Sequence, residues 1–158
     1  TERSAGISQQ TMTVLEAAKE IIMNYPRIDE FTNNIHYDFS DNTEGETGLF
    51  VTGDSKIKED VLGGQVRQMD IIMYSTCQAS SDYDRLSNST FLDELAFYLE
   101  NVEENEYEIT KGDGHELYHG HIKNMNCANA MLVTYLNDEV TGPVRYQLQI
   151  IIQYTLDS

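Results

Sequence analysis

The sequence predicts an α+β domain in which an antiparallel β-sheet is flanked by two main helices. Three observations support this fold class. Two stretches carry apolar residues at helical spacing, and several others alternate apolar with polar residues. The strand-like stretches also follow one another in groups, whereas a parallel sheet would place a helix after each strand. We therefore expect a sheet built mainly from hairpins.

The length of 158 residues corresponds to one domain. Residues 1–11 show no periodicity and contain Ser, Gly and Gln, so they are predicted to form a flexible N-terminal arm. Residues 12–158 are predicted to form the single domain. The longest apolar runs, such as residues 150–152, are far shorter than a bilayer requires, so no membrane partner is expected.

Both helices carry recognisable start signals. Thr13 and Glu16 have the spacing of a capping box, and Pro26 is expected to end the helix that follows. The second helix is predicted from about Asp82 to Glu100, with Ser81 or Asp82 as its N-cap. Its apolar stripe comprises Tyr83, Leu86, Phe91, Leu92, Leu95, Tyr98, Leu99 and Val102.

The strands are predicted from two-residue alternation and from turn residues. One strand begins at Asn34, a short one covers residues 49–52, and another covers residues 66–78. The polar, glycine-bracketed segment 53–64 is predicted to be a surface loop. A hairpin is expected around residues 112–114. Segments 119–123 and 130–136 are predicted as two separate strands around a turn.

The last strand has the strictest alternation, over residues 144–156. Thirteen residues at about 3.3 Å each would span roughly 43 Å, which is long for a domain of this size. The pattern therefore predicts either a bent strand or a strand that extends beyond its own subunit. Tyrosine is enriched at interfaces, so Tyr146 and Tyr154 are candidates for a subunit contact.

Charge excludes several classes of partner. The chain has 27 acidic and 10 basic residues, a net charge of −17. Sequence-specific or tight nucleic-acid binding needs a basic stripe, and the sequence contains none. An anionic membrane surface is an equally poor partner. An acidic wall could still let DNA pass without gripping it.

Motifs for phosphate binding, hydrolase nucleophiles and zinc proteases are absent from the sequence, so no cofactor is expected. His115, His119 and His121 leave an alternative open, a small metal-dependent enzyme, because two of them would share a strand face. The favoured interpretation is three partly exposed histidines on a wet hairpin. We therefore predict no catalytic and no metal-ligating residue. Cys77 and Cys127 are expected to be buried thiols, although a disulfide remains open.

Five segments together resemble a known family. They are TVLEAAKEIIMNYPRI, GDSKIKEDVLGGQVRQMDIIMYS, SDYDRLSNSTFLDELAFYLE, NCANAMLVTYL and YQLQIIIQYTL. The family is that of the tail terminator or tail completion proteins of long-tailed phages and of phage-derived contractile particles of Gram-positive bacteria, some of them called minor capsid proteins. The resemblance covers roughly residues 12–156. It is most specific in the second segment and at the start of the third.

The resemblance implies a structural virion protein and no enzyme. Six copies would form a hexameric ring, or collar, on the head-proximal end of the tail tube, end tube polymerisation and join the tail to the neck. The implied partners are further copies of the chain, the tube protein, and sheath and neck or head-completion proteins. DNA would pass through the ring without specific binding. The implied location is the virion tail or phage-like particle, assembled in the cytoplasm of the bacterial host.

Partner contacts are predicted from segment 53–64 and from the end of the last strand. Exposed apolar residues on a charged loop would bury surface only when a neighbour arrives. The residues predicted to bind partners are Lys56, Ile57, Lys58, Val61, Leu62, Tyr154 and Leu156.

Overall fold

The computed structural model describes residues 12–39, 43–79, 81–104, 106–136 and 143–157. In this part of the chain it confirms the α+β class. The helices are α1 (Val14–Met23) and α2 (Asp82–Glu100), and a short 3₁₀ helix covers Ile28–Glu30. The strands are β1 (Asn34–Tyr37), β2 (Glu46–Glu59), β3 (Gln65–Gln78), β4 (Glu108–Gly112), β5 (Leu117–Tyr135) and β6 (Pro143–Leu156). The predicted arm, residues 1–11, lies outside the described residues.

The six strands form one mixed sheet in the order β1-β2-β3-β6-β5-β4. β1 runs parallel to β2, with Asn34 beside Glu46, and the other neighbours are antiparallel. The prediction of an antiparallel sheet is therefore wrong at β1. Asp38 and Gly45 take left-handed backbone conformations, with φ of 52° and 87°, near the two ends of the β1–β2 connection. This connection returns the chain so that β2 starts beside the start of β1.

Helix α1 forms as the capping signal predicts. The Thr13 side chain accepts a hydrogen bond from the Glu16 amide, and the Glu16 side chain accepts one from the Thr13 amide. The helix ends at Met23, shortly before Pro26. Its buried face comprises Val14, Ala17, Ala18, Ile21 and Ile22. Ala17 and Ala18, in the middle of this face, are fully buried.

Helix α2 has the predicted bounds, and its N-cap is Ser81, whose hydroxyl accepts from the Asp84 amide. Phe91, Leu92, Leu95 and Leu99 are buried, as the stripe predicts. Tyr83 and Leu86 are instead 77% and 66% exposed, so the first half of the predicted stripe is wrong. No helix in the described part of the chain is both long and apolar enough to cross a membrane.

Most of segment 53–64 is strand, and only residues 60–64 form a turn, which corrects the prediction of a surface loop. β2 continues through it to Glu59 and pairs with β3 along its length, as far as Glu59 beside Gln65. Two register shifts, after Val51 and after Lys56, accommodate extra residues. Glycine and charged residues indicated a loop, but a strand with one exposed edge tolerates both.

Strand β5 replaces the two short strands that were predicted around a turn. It runs unbroken from Leu117 to Tyr135 against β6. Asn129, with φ of 54°, lies in an irregularity between Ala128 and Met131. Such a bulge bends a strand without ending it. The turn-like residues of this segment therefore belong to a bulge.

Strand β6 is the centre of the sheet. It pairs with β3 over its whole length, from Pro143 beside Gln78 to Leu156 beside Gln65, and with β5 on its other side. Its residues alternate strictly between buried and half-buried, as predicted. The expectation that part of β6 extends beyond its subunit is wrong, because β3 pairs with β6 over its whole length and β5 pairs with it from Val144 to Leu156. The buried residues of both helices and all six strands pack around it in one apolar cluster.

Candidate functional site

The predicted partner-binding residues divide into two groups. Val61 is fully exposed, Leu62 is 79% exposed and Ile57 is 50% exposed. Tyr154 and Leu156 are buried within the subunit, because they belong to the core face of the central strand. These two therefore do not present their side chains to a partner. Tyr146, the other tyrosine considered for a subunit contact, is buried as well.

The turn between β2 and β3, residues 60–64, holds the exposed pair in a defined position. The Asp60 carboxylate accepts hydrogen bonds from the amides of Leu62 (2.8 Å) and Gly64 (2.9 Å). Gly63 takes φ of 94°, which glycine adopts without strain. Because these hydrogen bonds hold the backbone, Val61 and Leu62 project from an ordered turn. Large apolar residues held in water in this way are a candidate docking element.

The neighbouring lysines differ in their contacts. Lys56 pairs with Glu59 at 2.6 Å on the exposed surface. Lys58 borders a groove of about 630 Å³ beside the turn, to which Val66 and Leu156 also contribute. Leu156 thus reaches this groove with only a small part of its surface.

Two strand edges are open in the described part of the chain. β1 pairs with β2 only at Glu46–Leu49, and β4 pairs with β5 only at Leu117–His121. In the described ranges, no further strand is hydrogen-bonded to residues 50–59 of β2 or 128–135 of β5, and most of these residues are exposed. The Asp54 side chain nevertheless contacts Lys111 of β4. Open edges present unpaired backbone groups and are templates for pairing with another chain.

A polar cluster joins the two sides of the sheet. The Asp54 carboxylate on β2 accepts from the Tyr154 hydroxyl at 2.7 Å and from the Lys111 ammonium of β4 at 2.7 Å. The Arg67 Nε donates to the same hydroxyl at 3.0 Å. β2 and β4 are separated by three strands in the sheet order, so the sheet must curl to bring Lys111 to Asp54.

The pKa values in this cluster follow from burial and hydrogen bonding. Burial, followed by the hydrogen bond to Asp54, raises the pKa of Tyr154 to about 12. Burial would raise the pKa of Asp54, but the hydrogen bonds from Lys111 and Tyr154 outweigh it and lower that pKa below its usual value. The tyrosine is thus held neutral and the aspartate ionised. These protonation states suit a structural role, in which the hydrogen bonds hold β2, β3, β4 and β6 together.

The three histidines do not converge on a common site. His115 lies in the β4–β5 turn, where its amide donates to Asp113. The His121 ring lies 3.2 Å from the Thr155 hydroxyl. Within the residues that the structure describes, no group of three or more His, Cys, Asp or Glu side chains could hold a metal ion. The alternative of a metal-dependent enzyme therefore has no geometric support in these residues.

Both cysteines are free thiols, Cys77 buried and Cys127 partly buried. Burial raises the pKa of each thiol to about 12, so both stay protonated at neutral pH. The Cys127 amide donates to Glu100 at 3.2 Å, which ties β5 to the end of α2.

Helix α2 carries a second apolar face, which sequence reasoning missed. Tyr83, Leu86 and Phe97 are all strongly exposed, and Phe97 is 70% exposed. At 100° per residue these three lie on the side opposite Leu92, Leu95 and Leu99. The signal was available, because Tyr83 and Leu86 are out of phase with the buried leucines. Because the described residues leave all three side chains exposed on one helix face, this face is a candidate contact surface.

Comparison with known proteins adds no relative. No protein-family model matches the chain, and no curated protein matches it.

Proposed function

We propose that this protein is a subunit of a homo-oligomeric ring, a hexamer, that caps the head-proximal end of the tail tube of a phage or phage-like particle. The proposal starts from the resemblance of five segments to tail terminator proteins. Its main structural support is that, in the part of the chain that the structure describes, residues 50–59 and 128–135 are not hydrogen-bonded to a further strand. In this role the protein ends tube polymerisation and joins the tail to the neck.

The two edges are compatible with one another. Successive antiparallel pairings through β3 and β6 make β2 and β5 run in opposite directions. In a ring whose axis lies roughly along the strands, β5 of one subunit meets β2 of the next in antiparallel orientation. Contacts between two different surfaces generate a ring when the rotation closes. A subunit with a single open edge would stop at a dimer.

The turn at residues 60–64 would serve as the contact to the tube or to a neighbouring subunit. It lies at the end of the sheet reached by Leu156 and presents Val61 and Leu62 outward. These side chains would bury apolar area only in the assembled particle, at about 25 cal/mol per Å². Further contacts to sheath and neck proteins belong to the same proposal.

The charge of the subunit is consistent with a conduit. A net charge of −17 per subunit disfavours attachment of DNA to the ring, so a genome in transit would not be trapped. The particle would be assembled in the cytoplasm of the bacterial host and remain in the virion tail.

Assembly can be tested by native mass spectrometry and negative-stain imaging of the purified chain, alone and with tail tubes. We expect a ring of six copies, either free or on tube ends. A strictly monomeric chain that leaves tube ends bare would contradict the proposal.

An edge variant makes the test specific. Met131→Lys together with Val133→Lys places two charges on the open edge of β5, where Met131 is 51% and Val133 44% exposed. Charged side chains on an edge oppose strand pairing, so we expect a folded subunit that no longer forms rings. Leu117→Lys is the matched control. Leu117 is 46% exposed on the part of β5 that β4 already covers, and its replacement should leave assembly intact.

A further inference from the structure

A pocket of about 800 Å³ lies where both helices end. Tyr25, just after α1, forms one wall. The last turns of α2 form a second wall, with Phe97 and Tyr98, and the segment leading into β4 forms a third, with Tyr107. The surfaces proposed above for ring and tube contacts do not include this pocket.

The aromatic rings of the pocket are held in place by their neighbours. Tyr25 and Tyr98 meet edge to face with centroids 5.0 Å apart. The Tyr107 hydroxyl accepts from the Asn24 side chain at 3.3 Å. Phe97 lines the pocket and is 70% exposed among the residues that the structure describes. The pocket therefore offers prearranged aromatic surface that can receive a ligand at little ordering cost.

The charge lining the pocket is negative. Asp93, Glu94, Glu103 and Glu106 contribute to it, whereas no lysine or arginine is among its lining residues. Arg27, which does not line the pocket, forms an ion pair with Glu94 at 2.6 Å. This ion pair does not involve the carboxylates of Asp93, Glu103 and Glu106. Burial raises the pKa of Tyr98, and the nearby Tyr107 and Glu106 raise it further.

The two helix ends add to this negative potential. The carbonyl end of a helix carries a partial negative charge, and a lysine or arginine in the last turn usually compensates it. Neither α1 nor α2 has a basic residue in its last turn. Both ends, marked by Asn24 and Asn101, lie at the pocket. Aromatic faces, carboxylates without a lysine or arginine among the lining residues, and two helix ends without a basic residue in their last turns thus converge on one place.

We propose that this pocket binds an arginine side chain presented by a segment of a protein partner. A flat guanidinium stacks on aromatic rings and pairs with carboxylates through two N–H groups at once, which a metal ion or a lysine does less well. Nucleic acid is excluded by charge. The inference goes beyond the proposed ring, because the free subunit already contains the whole pocket.

The test uses the full chain and two peptides, Ac-Gly-Ser-Arg-Ser-Gly-NH₂ and the same peptide with neutral citrulline in place of arginine. Binding is followed at physiological salt through the NMR resonances of the aromatic rings. We expect the arginine peptide to shift the Phe97, Tyr98 and Tyr107 signals and to bind about tenfold more tightly than the citrulline peptide. Equal binding of the two peptides, or no binding at all, would overturn the proposal.

Matched variants separate the pocket from general attraction to an acidic protein. Phe97→Ala and the double variant Glu103→Gln with Glu106→Gln should each weaken arginine-peptide binding by about three- to tenfold. Tyr83→Ala, another exposed aromatic on α2, and Glu20→Gln with Glu116→Gln, an equal loss of surface charge, should not. Equal weakening by the control variants would show unspecific attraction and refute the site.

Discussion

Tyr154 links the apolar core to the polar cluster at one end of the sheet. Its ring is fully buried, and its hydroxyl donates to Asp54 while accepting from Arg67. Both groups lie on strands other than β6, so a single hydroxyl connects β2, β3 and β6 through side chains. A buried tyrosine hydroxyl with two charged partners contributes more than a surface contact does.

Removing this hydroxyl should cost stability. We expect Tyr154→Phe to lower the free energy of unfolding by about 1 to 3 kcal/mol, because the partly buried Asp54 loses a donor. Denaturant unfolding followed by circular dichroism measures the change. Tyr118→Phe is the control, since its hydroxyl contacts Asp113 at 3.4 Å on the exposed hairpin and should matter by less than about 0.5 kcal/mol. A loss at Tyr154 no larger than at Tyr118 would contradict the role given to the cluster.

Ionisation of Tyr154 is expected to destabilise the folded subunit at alkaline pH. Its pKa of about 12 in the folded subunit lies above the ordinary tyrosine value of 10.0, so the fold favours the neutral form. The resulting stabilisation is fully present below pH 10 and is lost as pH rises through about 12. We expect unfolding midpoints to fall more steeply between these values in the wild-type chain than in Tyr154→Phe. Parallel curves for the two proteins would show that the hydroxyl is not held neutral.

At the scale of elements, the pairing of β5 with β6 depends on one close approach. Gly120 lies beside Leu156, and a Cβ atom at this position would overlap the carbonyl group of Thr155. The φ angle of Gly120 is not positive, so the requirement is for space. Close backbone approach is a recognised reason for glycine within a strand.

Gly120→Ala is therefore expected to destabilise the subunit by about 3 kcal/mol or more, or to prevent folding, because backbone atoms must shift. Gly112→Ala is a matched glycine change in the same hairpin. The nearest atoms to an added Cβ there lie at 3.6 Å and 3.7 Å, which is ordinary contact. Thermal unfolding of both variants decides the matter, and equal melting temperatures would contradict the packing argument.

At the turn of residues 60–64, substitutions are expected to affect assembly and to leave stability unchanged. Replacement of Ile57, Val61 and Leu62 with Ser should leave the melting temperature of the subunit nearly unchanged, because all three side chains are at least half exposed. Ring formation or capping of tubes should fall strongly, because the apolar contact surface is lost. The comparison needs melting curves and capping yields from the same preparations. A large drop in melting temperature with capping preserved would show that the turn packs on its own domain.

At the scale of the whole molecule, charge and assembly oppose each other. Each subunit carries −17, and six such subunits in a ring repel one another. Salt should therefore favour the ring. We expect the ring fraction in native-mass or sedimentation measurements to increase as ionic strength rises from about 0.01 M to about 0.15 M, where the Debye length falls from about 30 Å to about 8 Å. Dissociation of rings over this range would indicate that attractive ion pairs hold the interface.

Periodicity along the chain sufficed to predict the features that depend on neighbours within one element. The bounds of α2, the capping box of α1 and the alternation of β6 were predicted because each follows from contacts within one element. The polar half of β2 and the bulged middle of β5 were not predicted as strand. Their composition is typical of loops, and they are strands because a long neighbour supplies hydrogen bonds along their length.

The candidate surfaces show the same division. Exposure of Ile57, Val61 and Leu62 follows from apolar residues within a charged segment. Burial of Tyr154 and Leu156 does not follow from the local sequence. These residues are buried because the last strand of the chain lies in the centre of the sheet, and only the strand order decides this position. The pocket beside Phe97 likewise needs three distant segments to meet.

By itself, the sequence determined the α+β class, the helix bounds, the acidic character and the absence of common catalytic motifs, since these depend on composition and on neighbours along the chain. Only the tertiary structure decided the strand order, the parallel pairing of β1, the curl that brings Lys111 to Asp54, and which edges stay open. The physical reason is that strand pairing joins residues far apart in the chain. The free energy of such pairing depends on which neighbour each strand finds.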